Sequence, residues 1–234
     1  MSMVLELGGV RSGYGTTEVL HGVDLRVPRG TAVALLGANG AGKTTLLRTV
    51  AGLTPTRAGR ILFQGAPVEH SSAHQRARAG ISLVPEGRGI FRRLTVRENL
   101  LIQAGSKRAD EAVAKATAFF PKLGQRLNQE AGTLSGGEQQ MLALAGSLVT
   151  DADLVLADEL SVGLAPIVVD EIFAALEALR AEGRSMLIVE QYVDRVLGLA
   201  DYVYILHKGT VVFVGEPARC AADDIFERYL GSVA

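Results

Sequence analysis

Apolar and polar residues along the chain alternate with period two in some stretches and with the helical period in others. Val19 to Val27 alternates as a half-buried strand does, and Ile61 to Phe63 reads as a strand of the same small antiparallel sheet. Val33 to Leu36 is an unbroken apolar run, as expected of a buried strand, and Lys43 to Ala51 follows as a helix. Ile81 to Val84 is another short buried strand, closed by Pro85. Beyond it the helical period takes over: Thr95 to Ala104, Asp110 to Phe120 and Ser135 to Leu148 are predicted helices with few strand signals between them. Then Leu154 to Ala157, Pro166 to Ala181, Ser185 to Val189 and Tyr192 to Ala200 alternate strand and helix. Tyr202 to Leu206 and Thr210 to Val214 flank Lys208-Gly209 as a hairpin, and Ile225 to Leu230 is expected to close the chain as a helix.

This order predicts an α/β fold in one domain. Residues 1–87 and 150–234 are expected to form a core sheet with an antiparallel β-subdomain, and residues 88–149 an inserted helical subdomain. With 234 residues, 48% hydrophobic, the chain can bury a substantial interior. A formal charge of −1 supplies no general attraction for nucleic acid or for an anionic bilayer. Cys220 is the only cysteine, so no internal disulfide forms. Met1 to Leu7 lacks the basic start and apolar stretch of a secretory signal, and no apolar run reaches the roughly 18 residues of a membrane span. The protein is expected to be cytoplasmic, with any membrane role carried by a partner.

The strand–helix junction after Leu36 reads Gly37-Ala38-Asn39-Gly40-Ala41-Gly42-Lys43-Thr44, followed by Thr45, and fits the phosphate-loop pattern. Gly37, Gly40 and Gly42 let successive N–H groups point into a concavity for phosphate oxygens. The helix dipole supplies at most ~2 kcal/mol, whereas a micromolar ligand needs roughly 8 kcal/mol. Lys43 on the β and γ phosphates, and Mg²⁺ held by Thr44, must supply much of the rest. The core is therefore expected to be a P-loop NTPase (RecA-like) sheet. Asp158 and Glu159 follow an apolar strand, at the edge that lines the ligand crevice in open α/β sheets. Asp158 is assigned to Mg²⁺, directly or through water, and Glu159 to orienting or deprotonating the attacking water. Leu134-Ser135-Gly136-Gly137-Glu138-Gln139-Gln140 opens the last helix of the helical stretch. Ser135 is a good N-cap, but two glycines weaken a helix, which makes sense where something approaches the backbone closely, such as a γ-phosphate.

Together these motifs resemble the nucleotide-binding subunits of ABC transporters, over essentially the whole chain. The resemblance implies an ATPase working as a head-to-tail dimer, with itself or a sister subunit. In it Leu134 to Glu138 would contact the γ-phosphate held by the partner's phosphate loop. It also implies that Tyr14 stacks on adenine and that Ser161 to Leu164 signals between the two sites. Further implied partners are transmembrane permease subunits and, indirectly, a solute-binding protein, with no nucleic acid. The chain would sit peripherally on the inner face of the plasma membrane.

Two positions depart from the general family pattern: Glu86 stands where glutamine is usual, and Gln191 where a γ-phosphate-contacting histidine is usual. With Val84 to Arg88, Gly163 to Pro166 and Val189 to Gln191, they resemble the ATPases of branched-chain amino acid importers. Urea or amide importers, non-transport ABC ATPases and a nucleotide-binding regulator are the alternatives. Glu86 beside Mg²⁺·ATP must ligate metal, accept a proton or swing away. Gln191 can donate a hydrogen bond to phosphate but cannot titrate. Leu160 replaces the family's usual proline. Arg88, Arg92, Arg93 and Arg97 form a basic cluster where the family receives a permease helix. His70 and His74, four apart, are expected to be solvated rather than metal ligands.

Overall fold

The computed structural model describes residues 2–87, 89–104 and 109–222. In chain order its strands are β1 (Met3–Tyr14), β2 (Thr17–Pro28), β3 (Ala32–Leu36), β4 (Thr56–Phe63), β5 (Ala66–Pro67) and β6 (Ile81–Val84), then β7 (Leu154–Asp158), β8 (Ser185–Val189), β9 (Tyr202–His207) and β10 (Thr210–Gly215). The helices are α1 (Lys43–Val50), α2 (Ala73–Ala79), α3 (Val96–Ala104), α4 (Ala109–Phe119), α5 (Pro121–Gly124), α6 (Gly136–Val149), α7 (Pro166–Ala181), α8 (Val193–Leu199) and α9 (Pro217–Ala222). Ile225 to Leu230 and Arg88 lie outside the described residues.

Two sheets organise the molecule. One is antiparallel, in the order β2-β1-β4-β5; the other has six strands in the order β10-β9-β3-β8-β7-β6. In the second sheet β9, β3, β8, β7 and β6 run parallel and β10 returns antiparallel along the edge. Between β6 and β7, neighbours in that sheet, the chain passes through α3 to α6. No helix among the described residues is long and apolar enough to cross a membrane.

Strand β3 explains why the next residues are so well fixed. All five of its residues are buried, and they alternate between two cores. Ala32, Ala34 and Leu36 join the cluster of the helices α6, α7 and α8, while Val33 and Leu35 join the cluster of α1 and the antiparallel sheet. Buried Val33, Leu35 and Leu36 each contribute about 1.5–3 kcal/mol, so a strand clamped on both faces holds its C-terminal end in place.

Strand β1 has no clear period in the sequence. Gly8 and Gly9 break its alternation, and the pairing with β2 and β4 shifts register around them, with Gly9 at φ 59°. Helix α2 begins after a capping box in which Ser72 accepts from the Gln75 backbone and Gln75 accepts from Ser72. His70 precedes that cap, so His70 and His74 do not share a helix face. No group of three or more His, Cys, Asp or Glu converges as a metal site among the described residues.

Candidate active site

The parallel strands deliver the phosphate loop, Asp158-Glu159 and Glu190-Gln191 to one edge of the sheet, because β3, β7 and β8 are adjacent and end together. Glycine at position 37 is required by close approach: a Cβ there would lie 2.2 Å from the Leu206 carbonyl oxygen. Gly42 caps α1 at φ 107°, with Leu20 and Val19 against the space a side chain would need. Lys43 is buried, and its ammonium donates to the carbonyls of Gly37 (2.7 Å) and Ala38 (3.2 Å). Burial holds its pKa below the usual lysine value, an effect that the Glu159 and Asp158 carboxylates partly oppose.

Thr44 donates its hydroxyl to Asp158 Oδ1 over 3.1 Å. Asp158 ends β7 with only 3% of its surface exposed. Burial pushes its carboxyl up to about 6; the Thr44 bond opposes this, while the Glu159 and Glu86 charges add to it and Lys43 relieves it. Glu159 is one residue further on and adopts a left-handed φ of 48°, rare for a side-chain-bearing residue. Its N–H donates to the Val189 carbonyl (2.9 Å), and its Oε2 accepts from Gln191 Nε2 (2.9 Å).

Asn39, Gly40, Gly42, Lys43, Thr44, Thr45, Glu86, Glu159 and Gln191 all line one open cleft of about 580 Å³, within the range of small-molecule sites. Tyr14 stands beside this cleft, 47% exposed, with its hydroxyl 3.5 Å from Thr45 Oγ1. None of Leu134, Ser135, Gly136, Gly137 or Glu138 lines the cleft. Those residues form a separate feature at the start of α6. Ser135 and Glu138 make a capping box, and Arg126 Nε holds the second Glu138 oxygen at 2.8 Å. Packing inside the chain also calls for glycine at position 137. A Cβ there would sit 2.3 Å from Val168 Cγ1, so α7 approaches this backbone closely. Ser135 remains exposed and Gly136 half-exposed.

Glu190, Asn99 and Arg76 are organising residues that the sequence reading passed over. Buried Glu190 accepts from the Ser161 N–H (3.1 Å), the Ser161 hydroxyl and the Gln191 N–H (3.2 Å). The sequence signal was an acidic residue closing an otherwise apolar buried strand, where an unpartnered charge would be very costly. Asn99, also buried, holds Phe91 by both its N–H (2.8 Å) and its carbonyl (3.0 Å), and so shapes a loop that displays Phe91, Arg92 and Arg93 to solvent. Arg76 donates to the Thr49 and Val50 carbonyls at the C-terminal end of α1, and to Glu69 and Ser71.

Residues 20–162 match the family profile described as ABC transporter. The chain is 42% identical to the high-affinity branched-chain amino acid transport ATP-binding protein BraG of Pseudomonas aeruginosa, over 97% of this chain and 100% of that one. It is 34% identical to the probable branched-chain amino acid transport ATP-binding protein LivF of Archaeoglobus fulgidus, over 94% of each. A crystal structure of an ATP-binding cassette of an ABC transporter in its ADP conformation superposes with a TM-score of 0.83 at 26% identity, covering 95% of this chain and 96% of that one.

Proposed function

Since the chain belongs to the ABC transporter family as an ATP-binding ATPase subunit, we propose that it powers a branched-chain amino acid importer as half of a head-to-tail ATP sandwich. The observation that carries this reading is the split site. One cleft gathers Lys43, Thr44, Glu159 and Gln191, while the Ser135 helix start stands apart from it with its cap exposed. A second copy, or a sister subunit, would bring its Leu134 to Glu138 segment onto the γ-phosphate, where the first N–H groups of α6 and the helix dipole favour an anion.

Within the cleft, the phosphate-loop N–H groups from Asn39 to Thr45 and the Lys43 ammonium would hold the β and γ phosphates. Tyr14 would stack on adenine, adding ~1–3 kcal/mol with little choice of base. Thr44 and Asp158 offer the hard oxygen donors that suit Mg²⁺, and Asp158 is a buried carboxylate among negative neighbours that a cation would relieve. Glu86 lines the same cleft as a third oxygen donor. When bound, Mg²⁺ would neutralise charge developing on the phosphate oxygens. Glu159 would orient or deprotonate the attacking water. Gln191 would steer Glu159 through their shared hydrogen bond and donate to phosphate.

The solute assignment is supported by the branched-chain amino acid transport names of two relatives matched along nearly the whole chain. Exposed Phe91 among Arg92, Arg93 and Arg97 supports a docking surface for transmembrane permease subunits, which would hold the protein at the inner membrane face. The decisive test of the sandwich is Glu159→Gln with ATP and Mg²⁺. It is expected to shift from monomer to dimer on size exclusion, alone or mixed with a sister subunit. A variant that stays monomeric in both mixtures and hydrolyses at the wild-type rate refutes the reading. Uptake of radiolabelled leucine, isoleucine and valine after disruption of the gene tests the solute; loss of urea or amide uptake alone would reassign it.

A further inference from the structure

Glu190 belongs to neither the phosphate loop nor the metal-binding residues, yet it is 4% exposed and carries a carboxylate. Burial pushes its pKa up, and hydrogen bonds from Ser161 and from the backbone of Gln191, Ser161 and Leu160 oppose that. Its carboxylate bridges two chain segments. Oε1 accepts from the Ser161 N–H, while Oε2 accepts from the Ser161 hydroxyl and the Gln191 N–H. One segment is the loop that continues from Glu159; the other carries the side chain that holds Glu159.

We propose that Glu190 is a positioning residue for ATP hydrolysis, locking the Leu160-Ser161 loop and the Gln191 backbone into one frame that aims Gln191 at Glu159. Displacement of the Ser161 to Leu164 loop is then transmitted directly to the Glu159–Gln191 pair. This rests on the roles of Glu159 and Gln191 given under Proposed function. Two observations make the frame necessary. Gln191 is exposed, so packing does not orient its side chain, and only its backbone anchor and the 2.9 Å bond to Glu159 do. Glu159 holds a left-handed backbone that must be over-determined by its surroundings. Its own N–H is fixed by Val189, and the two residues after it are fixed by Glu190. The carboxylate is required by its donors: a glutamine of the same size must turn its NH₂ toward either the Ser161 N–H or the Gln191 N–H.

The test is steady-state ATP hydrolysis by the purified full chain, in whichever assembly is active. Glu190→Gln is expected to lower kcat about tenfold or more while KM for ATP stays within about twofold, because the phosphate loop is untouched. The double variant Glu190→Gln/Gln191→Ala is expected to lose less than the two single losses combined, since part of the Glu190 effect passes through Gln191. A wild-type kcat, fully additive losses, or kcat and KM failing together overturns the proposal. Should Glu190→Gln fail to fold, Ser161→Ala removes one donor from the frame. It is expected to lower kcat about threefold or more while KM for ATP stays within about twofold, and a wild-type kcat overturns the proposal. Glu159→Gln separates the two layers. Retained turnover there refutes the catalytic reading itself, whereas its loss alongside additive Glu190 effects refutes the positioning role alone.

Discussion

The side-chain amide of Gln191 donates to the carboxylate of Glu159 across 2.9 Å. The group that steers the proposed base therefore carries no proton that comes and goes near neutrality. Replacing Glu159 by Gln converts that acceptor into an amide and removes the base. Turnover is expected to fall about 100-fold or more with ATP binding retained. Phosphate release and nucleotide titration on the same preparation check both halves of the expectation.

Exchanging Gln191 for histidine adds a titratable ring at the same place. The wild-type pH–rate profile should lack an inflection from this position, and Gln191→His should introduce one near ~6.5, moved upward by the neighbouring Glu159 charge. Superimposable profiles would show that position 191 does not touch the rate-limiting step.

Asp158 predicts a pH dependence of stability. Its carboxyl is pushed up to about 6 in the fold, mainly by burial, against about 3.9 in an unfolded chain. The folded protein thus binds this proton more tightly than the unfolded chain does. The stabilisation it gives is complete below about pH 4 and lost as the pH rises through about 6. With divalent cations chelated, Asp158→Asn should be more stable than wild type at pH 7.5, by at most about 3 kcal/mol. The difference should close near pH 4. Mg²⁺ with nucleotide should restore stability to wild type and not to the variant. Urea denaturation at the two pH values reads all three.

Arg76 is 2% exposed and satisfies the Thr49 and Val50 carbonyls at the end of the phosphate-loop helix. Arg76→Ala strands the Val50 carbonyl in the interior, at roughly 1–3 kcal/mol for a group left without a partner, while the Thr49 carbonyl keeps the Gly52 N–H. A loss of about 1–3 kcal/mol in urea denaturation is expected. An effect below about 0.5 kcal/mol, typical of surface substitutions, would contradict it.

Much of this was legible in the sequence because the informative residues are contiguous. The phosphate loop, Asp158-Glu159 and Leu134 to Gln140 are short strings whose chemistry depends on neighbours a few positions away, and the strands and helices carrying them follow clear periods. What stayed hidden depends on distant partners or local breaks. Strand β1 was masked by Gly8-Gly9, which the fold absorbs as a shift in register. Helix α2 has only seven residues, and its Ser72/Gln75 capping box was the readable sign of it. Glu190 acquires meaning only through Ser161, 29 positions earlier. Gly137 reads as room for an approaching phosphate, and the fold adds a second neighbour, Val168 of the same chain, that no local pattern reveals.

That contact also makes a prediction. Alanine at position 137 gains at most about 1 kcal/mol of helix propensity, but a Cβ 2.3 Å from Val168 Cγ1 overpacks the seam by about 1–3 kcal/mol. Overpacking should win. Gly137→Ala is expected to be destabilised, and Val168→Ala in the same chain to recover most of the loss. A Gly137→Ala protein that melts above wild type would contradict the packing account.

With so little clearance between α6 and α7, the start of α6 is a poor place for a pivot, since swinging that helix alone drives its backbone into Val168. Moving the two helices together avoids that clash and leaves the give to the connecting chain on either side. Val168 is only three residues past Ala165, the cap of α7, and the Ser161 to Leu164 turn lies immediately before it. In the proposed sandwich, a pull on Ser135 would therefore draw α7 with it and tug on the segment that leads back to Glu159.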